Sequence, residues 1–339
     1  MDFPGANILS VAQFSLADVV TVCDVAQRME IFARRQRVTR VLQGAVLVNL
    51  FFEASTRTRI SFGAAFNRLG GAVRDTVGTE YTSISKGESL SDTSRVVSGY
   101  GDVIVLRHPE EAAVSEFAAH ATVPVINAGN GPGEHPTQAL LDYYTLTREL
   151  NARSNQIDGL TFGVIGDLRF GRTVHSLVKL LALHSRIHFV FISPTSLGIP
   201  EEINDYLEAR GHTVTCEARP GHFLRDLDAL YVTRLQRERF VDLAINFEEH
   251  RDFIVNRQLL ETFGMSNVVI MHPLPRDSGR NAIDLSHDLD GDPRLAIFRQ
   301  TIAGIPVRMA LFALVLDVVK DIESQSEPVR WFVKAGQHW

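Results

Sequence analysis

Short apolar runs alternate with longer stretches of helical periodicity along most of the 339-residue chain. Residues 45–52 form an apolar run interrupted only by Asn49, which predicts a buried strand of a parallel sheet. Phe62, Phe66 and Leu69 follow at helical spacing, and Gly70-Gly71 predicts the helix stop. Further strands are expected at 72–77, 102–106, 123–127, 160–165, 187–192, 213–216, 229–232 and 268–271. Helices are expected at 15–37, 90–100, from Pro136 to about 150, at 173–183 and at about 306–322. Strands alternating with helices predict an α/β fold of two doubly wound parallel-sheet domains, with ligands outside the carboxyl ends of the strands. The expected division is a first domain over 1–149, onto which the last helix at 306–322 packs back, and a second over 150–305. The polar tail at 323–339 has no assignment.

Composition narrows the class. A 45% hydrophobic and 22% charged chain fits a soluble globular enzyme with a sizeable core. A net charge of −6 argues against nucleic-acid binding. Cys23 and Cys216 are far apart, so neither a disulfide framework nor a structural zinc site is supported, and a reducing cytoplasm is expected. No signal peptide is read at the N-terminus, and the late apolar run is broken by Arg308 and Asp317, so no membrane span is expected. Lys86, Lys179, Lys320 and Lys334 are the only lysines, which draws notice to Lys86 in the polar 78–87 loop.

The strand ends carry the chemistry. After the first strand come Ser55, Thr56, Arg57, Thr58 and Arg59, with Ser55 placed as an N-cap. Arginines in a first turn oppose the helix dipole unless an anion compensates, and hydroxyls with a planar guanidinium suit phosphate. Arg107 leaves the third strand, and His135 and Gln138 open the helix that follows a glycine-rich loop. Arg172 and Arg234, with Gln236, leave strands of the second half. This is a two-part anion site with one cluster in each domain. Gly163-Val164-Ile165-Gly166 lacks the third glycine of a dinucleotide fingerprint, and no phosphate loop of the nucleotide-hydrolase type occurs. Two anionic substrates held close, with developing negative charge stabilised, is the chemistry this composition favours.

These motifs together resemble the catalytic chain of the aspartate carbamoyltransferase family. They are Phe-Phe-Glu-Ala-Ser-Thr-Arg-Thr-Arg at 51–59, Lys-Gly-Glu-Ser at 86–89, Arg-His-Pro at 107–109, and His-Pro-Thr-Gln at 135–138. The second half adds Gly166-Asp167 with Gly171 to Ser176, Thr-Arg-Leu-Gln-Arg-Glu-Arg at 233–239 and His-Pro-Leu-Pro-Arg at 272–276. The resemblance implies transfer of the carbamoyl group of carbamoyl phosphate to the α-amino group of L-aspartate, an early step of pyrimidine biosynthesis, in a cleft between the domains. It implies that Ser55, Thr56, Arg57, Thr58 and Arg107 hold the phosphate. His135 and Thr58 would polarise the carbamoyl oxygen, and Gln138 would bind its amino group. Arg172, Arg234 and Gln236 would hold the aspartate carboxylates, and the carbonyls of Leu274 and Pro275 would face the reacting amines. Ser83 and Lys86 would reach a neighbouring subunit's site, making a homotrimer the active unit, within or without a larger assembly containing regulatory or other pathway chains. No metal or organic cofactor is implied.

Several positions keep a second reading. Thr82 or Ser85 stands beside Ser83 as the loop hydroxyl, Arg172 could pair with Asp167, and His272 reads as a packed histidine. Ala54 replaces the proline of many relatives, and the polar insert at 277–292 is unusually long. The ornithine enzyme shares the first-half motifs, but its site should show a cysteine in the 272–275 segment and an acidic residue for a cationic side chain. Arg234 suits an acidic one instead. A non-catalytic homologue is disfavoured because every motif residue needed for activity is present.

Overall fold

The computed structural model describes residues 1–78, 87–234, 252–277 and 284–333. Contacts divide the chain into two compact units, one of 1–140 with 302–339 and one of 141–301. The divisions fall inside helices.

In the first unit, helix α1 (Leu16–Ala33) opens on a capping box in which Ser15 and Asp18 satisfy each other's backbone amides. It stops four residues short of the expected end, where Arg35 turns to φ +61 and a short strand β1 (Arg37–Thr39) begins. Then come β2 (Val46–Phe51), α2 (Thr56–Arg68), β3 (Ala72–Val77), α3 (Leu90–Ser98), β4 (Val103–His108), α4 (Ala113–His120), β5 (Val125–Asn130) and α5 (Pro136–Asn151). The sheet is parallel in the order β3-β2-β4-β5. Its apolar side chains Val48, Leu50, Ile104, Leu106 and Val125 pack with Val114 and Phe117 of α4 in one buried cluster. Helix α4 has no counterpart among the sequence expectations.

The second unit continues with β6 (Thr161–Ile165), α6 (Arg172–Leu181), β7 (His188–Ile192), α7 (Glu201–Glu208), β8 (Thr213–Glu217), β9 (Ala229–Val232), α8 (Arg257–Thr262) and β10 (Val269–Met271). This sheet too is parallel, ordered β10-β9-β6-β7-β8. The alternation of strands and helices, and the parallel pairing, match the fold class read from the sequence.

The last long helix departs from expectation. Helix α9 (Ile297–Val315) begins nine residues before Pro306, which lies inside it. Proline at a helix interior removes one backbone hydrogen bond, at about 3 kcal/mol. Burial of Val307, Met309, Leu311, Phe312 and Leu314 outweighs that cost. Helix α9 is long and apolar enough by composition to cross a membrane, but most of it is buried within the protein. Phe312 meets Phe62 and Phe66 of α2 edge-on at 5.9 and 5.0 Å, and the Arg308 guanidinium lies 4.7 Å from the Phe62 ring centre. The helix that bears the first anion motif is thus backed by the end of the chain. The tail also acquires structure: β11 (Ser326–Pro328) pairs antiparallel with β1, braced by Arg28 on Glu323 and Arg37 on Ser326.

Both parallel sheets reverse winding direction once. In the first, the chain runs from β2 outward to β3, then returns to β4 and β5 on the other side. In the second, it runs β6, β7, β8 and returns to β9 and β10. The reversal leaves an open crevice at the carboxyl ends of β2 and β4, and of β6 and β9. Backbones crowd at a glycine in each sheet, beside the first crevice at the ends of β4 and β5 and at the second crevice itself. A Cβ on Gly131 (φ +52) would stand 2.0 Å from the Pro109 carbonyl oxygen, and one on Gly166 (φ +122) 2.2 Å from that of Thr233. Gly166→Ala should therefore destabilise by about 3 kcal/mol, through strain and a backbone clash. Gly211→Ala, at φ +80 with open space around it, should cost only about 1 kcal/mol for the same conformational strain. Denaturant melts of the two variants measure the difference, and equal losses would refute the crowding.

Candidate active site

The first half-site gathers at the β2/β4 crossover. Phe51 ends β2, and Ser55 is the N-cap of α2, as expected. Its hydroxyl does not cap the helix, however; it donates to Thr58 Oγ1 at 2.8 Å. The first-turn amides are not satisfied by the cap side chain, and the helix dipole adds its positive end there. Thr56 and Arg57 are exposed, while Ser55 and Thr58 are half-buried.

Arg107 lies within β4 and is buried. The β4–β5 register slips between Leu106 and His108, which sets Arg107 opposite an extra residue of β5. Irregularities of this kind re-aim a side chain. Its guanidinium donates to the Ala128 carbonyl at 3.0 Å and forms an ion pair with Glu53 at 3.0 Å. Glu53 stands two residues before the hydroxyl-rich turn, and no spacing in the sequence marks it as a partner of Arg107. His108 Nδ1 accepts the Glu110 amide at 3.0 Å, and its ring meets Phe52 edge-on. Burial lowers its pKa despite nearby Glu110, Glu116 and Glu53.

His135 is buried just before Pro136, and its carbonyl accepts the amides of Gln138 and Ala139 in the first turn of α5. The preceding loop is strapped in place. Glu134 accepts from Ser10 Oγ at 2.8 Å and from the Val11 amide at 2.7 Å. Ile8 pairs with Ile126 beside β5, and Asn127 donates to the Leu9 carbonyl at 2.9 Å. Gly131 N–H donates to the His108 carbonyl and the Asn130 side chain to that of Glu111. The Arg107 and His135 segments are thereby tied together. No sequence periodicity marks the N-terminal strap, which explains its omission above.

The second half-site gathers at the β6/β9 crossover. Asp167 is fully buried and accepts the Phe170 amide at 3.0 Å, while Leu168 and Arg169 donate to the Leu197 carbonyl. The His175 Nε2 lies 2.7 Å from the Leu168 carbonyl, and burial lowers its pKa. This braced turn delivers Arg172 as the first residue of α6, buried and with a glycine, Gly171, at the N-cap. Arg234 follows buried Thr233 off β9 and is half-buried. Beyond β10, the Leu274–Pro275 peptide is cis and Leu274 has φ +51. Ser83, Lys86 and Gln236 lie outside the described residues. Among the described residues, no cluster of His, Cys, Asp or Glu is arranged to hold a metal ion.

The structure thus places Ser55, Thr56, Arg57, Thr58, Arg107, His135 and Gln138 on the first unit, and Arg172, Arg234, Leu274 and Pro275 on the second. Each set includes residues flanking its sheet's crossover. Chemically, one set offers hydroxyls, helix amides, two arginines and an imidazole; the other offers two arginines and a carbonyl-bearing turn.

Comparison with known proteins agrees on both halves. Residues 6–148 match the family described as aspartate/ornithine carbamoyltransferase, carbamoyl-P binding domain, and residues 158–315 its Asp/Orn binding domain. The aspartate carbamoyltransferase catalytic subunit of Saccharophagus degradans is 51% identical over 98% of each chain, and that of Cellvibrio japonicus 52%. Aspartate transcarbamoylase from Trypanosoma cruzi in complex with N-(phosphonacetyl)-L-aspartic acid superimposes with a TM-score of 0.84 at 39% identity, covering 93% of this chain and 97% of that one. The Methanocaldococcus jannaschii catalytic subunit gives 0.83 at 39% identity, covering 92% and 98%. With both domains matched and half its residues shared with such relatives, the chain belongs to the aspartate carbamoyltransferase catalytic-subunit family.

Proposed function

We propose that this chain transfers the carbamoyl group of carbamoyl phosphate to the α-amino group of L-aspartate, giving N-carbamoyl-L-aspartate and phosphate. The observation that carries this reading is that Arg172 and Arg234 flank the crossover of one sheet, and the hydroxyl-arginine turn and Arg107 that of the other. A dicarboxylate needs two cationic forks, and a phosphate needs amides, hydroxyls and guanidinium groups. In this reading Ser55, Thr56, Arg57, Thr58 and Arg107 grip the phosphate. His135 and Thr58 stabilise negative charge on the carbamoyl oxygen as the amine adds, and Gln138 holds the carbamoyl amino group. Leu274 and Pro275 carbonyls orient the amine by accepting hydrogen bonds from its N–H groups. The new C–N bond forms as the C–O bond to phosphate breaks. The amine's surplus proton passes to the departing phosphate, the nearest base. Catalysis is by placement and electrostatics, without a cofactor.

Supporting the choice of acceptor, the 272–276 segment is His-Pro-Leu-Pro-Arg, with no cysteine, and Arg234 and Gln236 stand in the segment where an ornithine site would carry its acidic residue. We also propose, from the family resemblance, a cytoplasmic homotrimer acting in pyrimidine biosynthesis, with Ser83 and Lys86 contributed to a neighbour's site and Gln236 beside the aspartate carboxylates.

Assay with carbamoyl phosphate should give turnover with aspartate and none with ornithine; the reverse would overturn the acceptor assignment. Arg57→Ala should lower kcat by about a hundredfold to a thousandfold, the loss typical of removing one stabiliser of developing charge. Arg234→Ala should raise KM for aspartate far more than KM for carbamoyl phosphate. Mixing inactive Lys86→Ala chains with inactive Arg57→Ala chains should restore part of the activity once subunits exchange. No recovery after confirmed exchange would mean that each site is built from one chain.

A further inference from the structure

The turn after β10 holds Leu274 at φ +51. A leucine in the left-handed region costs about 1–3 kcal/mol and persists only where its surroundings enforce it. The enforcing group is His272. Its ring is buried, and Nδ1 accepts the Leu274 amide at 2.8 Å. An amide nitrogen only donates, so Nδ1 carries the lone pair and the ring proton sits on Nε2. That proton faces Asp284 Oδ2 at 3.0 Å. Asp284 in turn accepts the amides of Leu285 at 2.6 Å and Asp277 at 3.2 Å. The backbone of His272 is fixed as well. Its amide donates to Gln300 Oε1 at 2.9 Å, Gln300 Nε2 donates to Asp142 Oδ1 at 2.6 Å, and Tyr231 OH donates to Asp142 Oδ2 at 2.7 Å. Tyr231, Asp142, Gln300 and His272 are all at most 1% exposed. A fully satisfied buried network of this kind specifies one geometry.

We propose that His272 is the positioning residue of the amine-binding turn. As a neutral imidazole with an accepting Nδ1, it fixes the Leu274 peptide and so the direction in which the Leu274 and Pro275 carbonyls point. Asp284 selects the tautomer, and the Asp142–Gln300 pair sets the height of the ring. His272 itself need not touch a substrate. The proposal rests on the reading above, in which those carbonyls orient the attacking amine. It adds a residue whose role depends on which ring nitrogen is available.

Two substitutions separate the nitrogens. Asparagine at 272 can place an amide oxygen near the Nδ1 position, whereas glutamine places its amide near Nε2. His272→Gln should raise KM for aspartate about tenfold to a hundredfold, as expected for a partly buried amide left without its acceptor. KM for carbamoyl phosphate should stay within about twofold, since the phosphate groups are untouched. His272→Asn should recover most of what His272→Gln loses. Equal losses in both variants, or losses shared by both substrates, would overturn the proposal. The ring state can be read without turnover: 15N spectra should show Nδ1 unprotonated, and Leu274 amide exchange should be slow in the native protein and His272→Asn but fast in His272→Gln. Protonated Nδ1 would sink the proposal whatever the activity. Native protein unable to carbamoylate aspartate, with the ring state as expected, would instead sink the functional reading alone.

Discussion

The polar clusters at the strand ends of both sheets depend on backbones that approach more closely than a side chain permits. At Gly131 the loop after β5 lies against the Pro109 carbonyl, and at Gly166 the turn after β6 lies against that of Thr233. A parallel sheet opens a crevice only where neighbouring connections leave in opposite directions. The crevice is useful only if the segments around it stay close enough for short polar side chains to share a ligand. In the first sheet the close approach ties the Arg107 segment to the His135 loop. In the second it sets the turn leading to Arg172 against the residue before Arg234.

Within that frame, the cationic groups are aimed by partners that are themselves fixed. Arg107 has a carboxylate from the end of β2 on one side and a β5 carbonyl on the other, so its fork cannot rotate freely. The loop with His135 is held by Glu134 against the N-terminal segment. Preorganisation of this sort means that little reorganisation accompanies the build-up of negative charge, which is where electrostatic catalysis gains most. Leucine 274 shows the same logic applied to a backbone carbonyl.

Much of this was legible in the sequence, for identifiable reasons. Buried parallel strands are nearly continuous apolar runs, so β2, β6 and β9 stand out to within a residue. The anion turns stand out because serine, threonine and arginine directly after such runs have few structural uses. The misses were of other kinds. Pro306 was read as a helix start, because the rule that excludes proline from helix interiors is local and the burial that overrides it is not. Strand β11 is three residues of Ser-Glu-Pro with no periodicity, and its partner is nearly the whole chain away. Glu53, Glu134 and His272 act through contacts to loops or to residues distant in sequence, and no spacing rule encodes those. Ser55 sits where a cap belongs, but only coordinates reveal that its hydroxyl turns to Thr58.

The pairing of β1 with β11 joins residues 37–39 to 326–328. During synthesis the chain leaves the ribosome from its amino end, so β1 emerges long before its partner exists. Its exposed amides and carbonyls must wait, solvated, through the making of both parallel sheets. Arg37 and Thr39, which bond to Ser326 and to the Ile322 carbonyl, therefore join the native structure only once those residues have been made. The short β ribbon is a latch set after the strands of both parallel sheets have been made.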